Sequence, residues 1–187
     1  REDNDPYFCT PKGASIFGWA GVDGIHFCFV RGFGETVFAV SPMNGGKDCV
    51  HVIARDFSDF LRLLLATGDS AALEQAWQWD EAQFGAFLTE NPPTDEQKAV
   101  LSQITTVFSL TPMERPWQYL RKLQAEFDLS KLKFTEDFYD PEMNGDAPEQ
   151  KTDWKVYFDG SFWGHHGRER AGREMPVQKW FSWAGRD

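Results

Sequence analysis

Residues Gly13–Leu65 read GASIFGWAGVDGIHFCFVRGFGETVFAVSPMNGGKDCVHVIARDFSDFLRLLL. Four short apolar runs, separated by turn residues, are followed by one strongly amphipathic segment. Ser15–Ala20 forms the first expected strand, and the Asp23-Gly24 pair after it predicts a hairpin because glycine accepts positive φ. Ile25–Arg31 is the second strand, with Ile25, Phe27 and Phe29 on one face and His26, Cys28 and Val30 on the other. Neither face is strongly polar, so both are expected to be covered. Gly32-Phe33-Gly34 makes the next turn and Thr36–Val40 the third strand, which Pro42 ends because proline cannot donate to the ladder. Asn44-Gly45-Gly46 turns the chain into a fourth strand, Cys49–Ala54. Turns this short give an antiparallel meander, since parallel crossovers need a dozen or more residues.

Asp56 is placed to cap a helix and Asp59 suits its positive N-terminus. Phe57, Phe60, Leu61, Leu64 and Leu65 then form one apolar stripe at helical spacing, ended by Gly68. The helical period persists downstream. Ala71–Trp79 carries Leu73, Ala76 and Trp77 on one side. Asp80 with Gln83 makes a capping box ahead of Phe84, Phe87 and Leu88, and Asn91-Pro92-Pro93 breaks the chain. Thr94 with Gln97 repeats the box before Val100, Leu101, Ile104, Val107 and Phe108. Pro116 opens the next helix, which is expected to bury Trp117, Leu120, Leu123 and Phe127. Residues 130–152 read as irregular and acidic. Trp154–Phe158 and Ser161–Trp163 read as one more hairpin, residues 164–175 as a polar stretch, and Pro176–Trp183 as a closing helix. The fold class is therefore α+β: a small antiparallel sheet packed by helices, with helical and C-terminal hairpin additions. One domain is expected over residues 1–187, with the sheet and first helix at 13–66, a helical elaboration at 69–128 and the remainder at 129–187.

Composition sets the outer limits. A chain of 187 residues with 41% hydrophobic content, 17 Phe and 8 Trp can bury a full core without staples. Its three cysteines, Cys9, Cys28 and Cys49, are odd in number and form no CxxC pair, which suits a reducing cytoplasm better than a disulfide scaffold. No apolar run approaches the roughly 18 residues that span a bilayer, so no membrane partner is expected. The opening residues REDNDPYF lack the basic start and apolar core of a signal peptide, and a chain beginning at Arg1 is expected to have its natural start upstream. The net charge of −10 argues against nucleic acid. Residues 1–150 hold 12 basic and 24 acidic side chains, while residues 151–187 hold 7 basic and 5 acidic ones. Solubility alone accounts for such charge more often than not; the sharper expectation is attraction to a basic protein partner.

No constellation demands catalysis, a metal or a cofactor. Asp23 and His26 stand three residues apart and invite an acid–base reading, yet Asp-Gly is what the hairpin requires and His26 is an ordinary strand position. His165 and His166 point opposite ways in an extended chain and have no zinc-like companions. The glycines of 13–34 form no phosphate-binding loop. Cys9, Cys28 and Ser41 are the candidate nucleophiles, and none lies in a nucleophile elbow. The acidic stretch Glu136, Asp137, Asp140, Glu142 lacks the spacing of an EF-hand. Catalytic, cofactor and metal residues are accordingly expected to be none. Asp23, Glu35, Glu136, Asp137, Asp140 and Glu142 are the candidate partner-binding residues.

GVDGIHFCFV at Gly21–Val30, followed by TVFAVSP and IARDFSDFLRLLL, resembles the SUKH superfamily, the cell-wall-regulator-like immunity fold. There a strand pair joined at a Gly-Asp-Gly-like turn leads to further strands and a helix with a Ser/Asp-Phe-x-x-Phe-Leu signature. Asp23, Gly24, His26 and Phe27 fill the turn-and-strand part, and Phe57, Phe60 and Leu61 the helix part. The resemblance covers residues 13–66. The family's opening amphipathic helix has no room in residues 1–12, and residues 69–187 have no counterpart in a minimal member. What the resemblance implies is a protein-binding module, above all an immunity protein that docks on a bacterial toxin such as a basic nuclease. The alternatives are an intracellular regulatory scaffold of SUKH type unrelated to toxins, and a small enzyme using Asp23 and His26. The oligomeric state is open.

Overall fold

The computed structural model describes residues 6–144 other than residue 22, all within the unit Arg1–Gln150. The hairpin expected at 154–163, the polar stretch 164–175 and the helix expected at 176–183 lie outside the described residues.

Four strands, β1 (Ala14–Trp19), β2 (His26–Val30), β3 (Val37–Val40) and β4 (Val50–Ala54), pair antiparallel in sequence order, giving the expected meander. The β1–β2 turn holds Asp23 and Gly24 at φ of 51° and 71°. Ala20 N–H donates to Ile25 O at 2.9 Å to close that hairpin. Gly24 is required twice over, because a Cβ there would also meet the Tyr7 ring at 2.4 Å.

Strict alternation misreads β1. Ile16 pairs with Cys28 but Gly18 pairs with Phe27, so Phe17 is an extra residue in a β-bulge. The bulge brings Trp19 opposite His26, on the same face as Ile16. Phe17 turns to the other face, its ring 4.7 Å from Phe29, 5.4 Å from Phe57 and 5.5 Å from Phe60.

The β3–β4 connection is also not the tight turn expected at 44–46. It comprises two 3-10 turns, Pro42–Asn44 and Gly46–Cys49, so β4 starts at Val50. Gly45 and Gly46 both sit at positive φ, and Pro42 sets the first turn. Buried Ser41 and half-buried Asn44 hold the loop from inside.

Both sheet faces are covered, as the mixed pattern of β2 requires. On one, Phe27, Val37, Ala39 and Ile53 pack with Phe60, Leu61 and Leu63 of α1 (Phe57–Thr67) and with Leu73 and Leu120. On the other, Cys28, Val30, Phe38, Val40, Val50 and Val52 pack with Cys9, Leu123, Leu132 and Phe138. The second cover is mostly irregular chain, the segment leading into β1 and the residues beyond 127, joined by Leu123 from the helix that precedes them. Fully burying each large aliphatic or aromatic side chain is worth roughly 1.5–3 kcal/mol relative to exposure, so the two covers together dominate stability.

α1 starts where Asp56 accepts from Asp59 N–H, and ends at Gly68, φ 77°, whose N–H donates to Leu64 O. Its buried residues are Phe60, Leu61, Leu63 and Thr67, whereas Phe57 and Leu65 are only half-buried. Leu63 lies off the stripe read from sequence because α1 is wedged between the sheet and helices on its other sides. α2 (Ala71–Gln75) is shorter than the 71–79 expected and ends in a 3-10 turn, Ala76–Gln78. Trp79 is already extended, because Asp80 must be non-helical to cap α3 (Glu81–Glu90). Both capping boxes form, at Asp80/Gln83 and at Thr94/Gln97 of α4 (Asp95–Phe108). α5 (Pro116–Glu126) runs along β4 and buries Leu120 and Leu123, with Pro116 at its start. Just beyond β4, the Tyr119 hydroxyl accepts from Arg55 N–H at 3.0 Å and donates to Asp59 at 2.7 Å, a link that covers that end of the edge strand.

α4 departs from expectation. Its stripe is present, but no residue of the helix is buried, and Val100, Val107 and Phe108 are 55%, 72% and 53% exposed.

Candidate functional site

His26 is fully buried at the start of β2, beneath Tyr7 and Trp19. A carbonyl only accepts, so ring Nδ1 carries the proton that it donates to Gly24 O at 2.8 Å. Nε2 then accepts from the Thr10 hydroxyl at 3.2 Å, and Thr10 in turn accepts from Tyr7 N–H. Burial holds this imidazole below its ordinary pKa, with the Gly24 carbonyl opposing. Both ring nitrogens are thus engaged within the fold, Nδ1 on the β1–β2 turn and Nε2 on the leading segment, while Asp23 stands exposed in the turn.

The three sequence-level nucleophiles are all buried. Burial pushes the Cys28 thiol up to about 12. Cys9 and Cys49, 40 positions apart, are brought into thiol contact; the hydrogen bond to Cys49 and burial push Cys9 up. Ser41 meets a residue that the sequence did not single out. Its hydroxyl donates to the buried Glu74 of α2, and Asn44 Nδ2 donates to the same carboxylate oxygen at 3.5 Å. Burial raises the Glu74 pKa, and the two donors oppose that rise. Next to this loop, Asn144 accepts from Gly46 N–H and donates to Phe138 O, tying the irregular cover to the β3–β4 connection. His51 on β4 stacks on Trp77 with centroids 4.6 Å apart and rings within 10° of parallel. It donates from Nε2 to Asp48 O at 2.9 Å, and burial lowers its pKa to about 4. These buried polar groups are consumed in fastening loops to the core. Among the described residues, no group of three or more His, Cys, Asp or Glu could hold a metal ion, and no helix is long and apolar enough to cross a membrane.

The candidate partner-binding acids do not form one site. Asp23 is in the β1–β2 turn and Glu35 between β2 and β3, hence at opposite ends of the sheet, separated by the five residues of β2, about 16 Å. Glu136 and Asp137 are half-buried in a 3-10 turn, Glu136–Tyr139. Asp140 and Glu142 are exposed, and the Asp140 carboxylate accepts from Glu142 N–H at 2.9 Å, so part of its capacity goes to local turn structure.

Another run of exposed carboxylates lies elsewhere in the chain. Residues 80–114 carry six carboxylates, Asp80, Glu81, Glu90, Asp95, Glu96 and Glu114, all exposed, and one basic side chain, Lys98. Lys98 is itself 2.9 Å from Asp95. Along α4, Glu96, Val100, Gln103 and Val107 follow at i, i+4, i+7 and i+11 and form one exposed ridge, while Ile104 packs against the core. The charge count of this segment was readable in the sequence. The exposure of its apolar residues was not.

Comparison of the chain with protein-family models, curated proteins and solved structures finds no match.

Proposed function

We propose that this chain is a non-catalytic protein-binding module: a cytoplasmic immunity protein of SUKH type that docks on and neutralises a basic, nuclease-type bacterial toxin. The observation that carries this reading is the acidic surface. Residues 6–144 hold nineteen Asp and Glu against eleven Lys and Arg. Four ion pairs occur among the described residues, and two of them share Glu126. A toxin that grips phosphates presents the opposite charge, and complementarity of that kind speeds encounter and selects the partner. Further support comes from the order of elements, a meander followed by a capped helix, with the resembling residues Asp23, Gly24, Phe57, Phe60 and Leu61 in those places. The engagement of both His26 nitrogens within the fold weighs against the enzyme alternative.

The test is a survival assay. Cells expressing each protein encoded beside this gene are scored for growth arrest with and without the chain. Rescue, together with a 1:1 complex of the two purified proteins, is the expected result. No rescue and no complex with any neighbouring gene product would sink the immunity reading and favour the regulatory scaffold.

A further inference from the structure

We infer that Cys9 and Cys49 are a redox pair, which an oxidising environment closes into a disulfide that ties the segment leading into β1 to the end of the β3–β4 connection. The inference stands on the geometry of the fold and does not need the binding-module reading. Three observations carry it. First, the two thiols lie against each other. Both residues are 0% exposed within one core cluster, and their side chains are hydrogen-bonded across 40 positions of sequence. That bond favours the proton on Cys9 and the thiolate on Cys49, which polarises the pair toward exchange. Second, neighbouring bonds hold both backbones. Cys9 sits in the turn that Thr10 N–H closes on Tyr7 O at 2.9 Å, and the Thr135 hydroxyl donates to Phe8 O at 3.4 Å. Cys49 ends the 3-10 turn Gly46–Cys49, and its carbonyl accepts from Ser41 N–H at 2.7 Å. The sulfurs, already in contact, have only to close to about 2.05 Å. Third, Cys28 is out of reach of Cys49. Cys28 pairs with Phe38 and Phe38 with Val52, so two strand spacings, about 9.5 Å, separate Cys28 from β4. Bridged cysteines have Cα atoms within about 7 Å.

The oxidant is a low-molecular-weight disulfide. The leading segment rests on few hydrogen bonds and opens locally before the sheet does. The Cys49 thiolate then attacks the small disulfide, forming a mixed disulfide and releasing one thiolate. As the segment closes, the Cys9 thiol gives up its proton and its sulfur displaces the second small thiolate from Cys49. Both protein thiols are oxidised, the small disulfide is reduced to two thiols, and the two protein protons end on them. In a reducing compartment the pair stays open, and a shift of the thiol pool toward disulfide closes it. The loop so closed contains β1, β2 and β3, so the oxidised chain cannot release its leading segment from the sheet.

The test equilibrates the full chain with mixtures of reduced and oxidised glutathione, then alkylates the remaining thiols under denaturing conditions. The expected result is loss of two of the three thiols, with Cys9 and Cys49 in one cross-linked peptide and Cys28 alkylated. The oxidised chain should unfold ~10 °C above the reduced one, a shift that Cys49→Ala abolishes and Cys28→Ala keeps. Each variant is compared with itself at the two extremes of the buffer, so the constant cost of the substitution cancels. Mapping of the wild-type cross-link decides the matter even where a variant fails to fold. Three free thiols at the oxidising extreme, a cross-link that includes Cys28, or glutathione retained in place of a cross-link overturns the inference. So do equal unfolding temperatures of the oxidised and reduced chains.

Discussion

His51 offers a sharp quantitative test of the packing between β4, the 3-10 turn Ala76–Gln78 and α5. Its ring is 9% exposed and stacked on Trp77, and burial holds its pKa at about 4 against an ordinary value of 6.5. The Asp48 carbonyl and charge pull that value up and Arg121 pulls it down, but desolvation outweighs them. Between those two values the unfolded chain takes up a proton that the native ring refuses. The stability present above the unfolded pKa is therefore lost as pH falls toward the folded one. Integrated from pH 7 to pH 5, the loss from this one side chain is ~2 kcal/mol. Other groups, including buried His26, titrate over the same range, so the wild-type acid limb alone is uninformative. A comparison with His51→Phe isolates the term, since phenylalanine keeps a ring on Trp77 and its constant cost cancels between the two pH values. Urea unfolding followed by tryptophan fluorescence at both pH values should show the wild type losing ~2 kcal/mol more than the variant. Losses equal to within ~0.5 kcal/mol would refute the placement of His51 as a buried neutral ring.

Two further predictions concern the loops that close the sheet. Gly24→Ala and Gly32→Ala both force a side chain to positive φ, at 71° and 96°, but a Cβ at Gly32 meets nothing within 4 Å while one at Gly24 strikes Tyr7. Displacing Tyr7 from Trp19 and His26 breaks two ring contacts, so Gly24→Ala should be the less stable by ~1–3 kcal/mol in urea, and equal costs would contradict the packing of the leading segment. Glu74 has its folded pKa raised above 4.5 by burial, so the native state holds that proton longer than the unfolded chain and stability drops as pH rises through the window above 4.5. Glu74→Gln removes this dependence. Its stability relative to wild type should rise between about pH 4.5 and pH 8, and a constant difference would show that the carboxylate is not desolvated as described.

How far the sequence reached follows from what each signal encodes. Capping is local, and Asp56, Asp80/Gln83, Thr94/Gln97 and Gly68 do in the fold what they do on paper. The β2 alternation also transferred, because a strand covered on both faces has no polar side to hide. The bulge at Phe17 was invisible, since a single inserted residue leaves the composition of β1 unchanged and reverses the face of everything after it. The contacts Ser41–Glu74 and Cys9–Cys49 join residues 33 and 40 positions apart, and no periodicity reports such distances. Periodicity also showed that α4 has an apolar face without showing that nothing in the described fold buries it. The acids proposed from charge runs were legible as charges, whereas the placing of Asp23 and Glu35 at opposite ends of the sheet follows from the strand order and not from the charge pattern.

The central claim is that an acidic surface binds a basic protein partner. Its most direct test is calorimetric titration of the full chain with the purified product of any neighbouring gene whose toxicity the chain suppresses, in a catalytically disabled form, at low and at high salt. The account predicts a saturable 1:1 complex whose affinity falls as salt rises, because exposed opposite charges are screened within about 10 Å at 0.1 M. No complex at either salt concentration, or an affinity indifferent to salt, would contradict it.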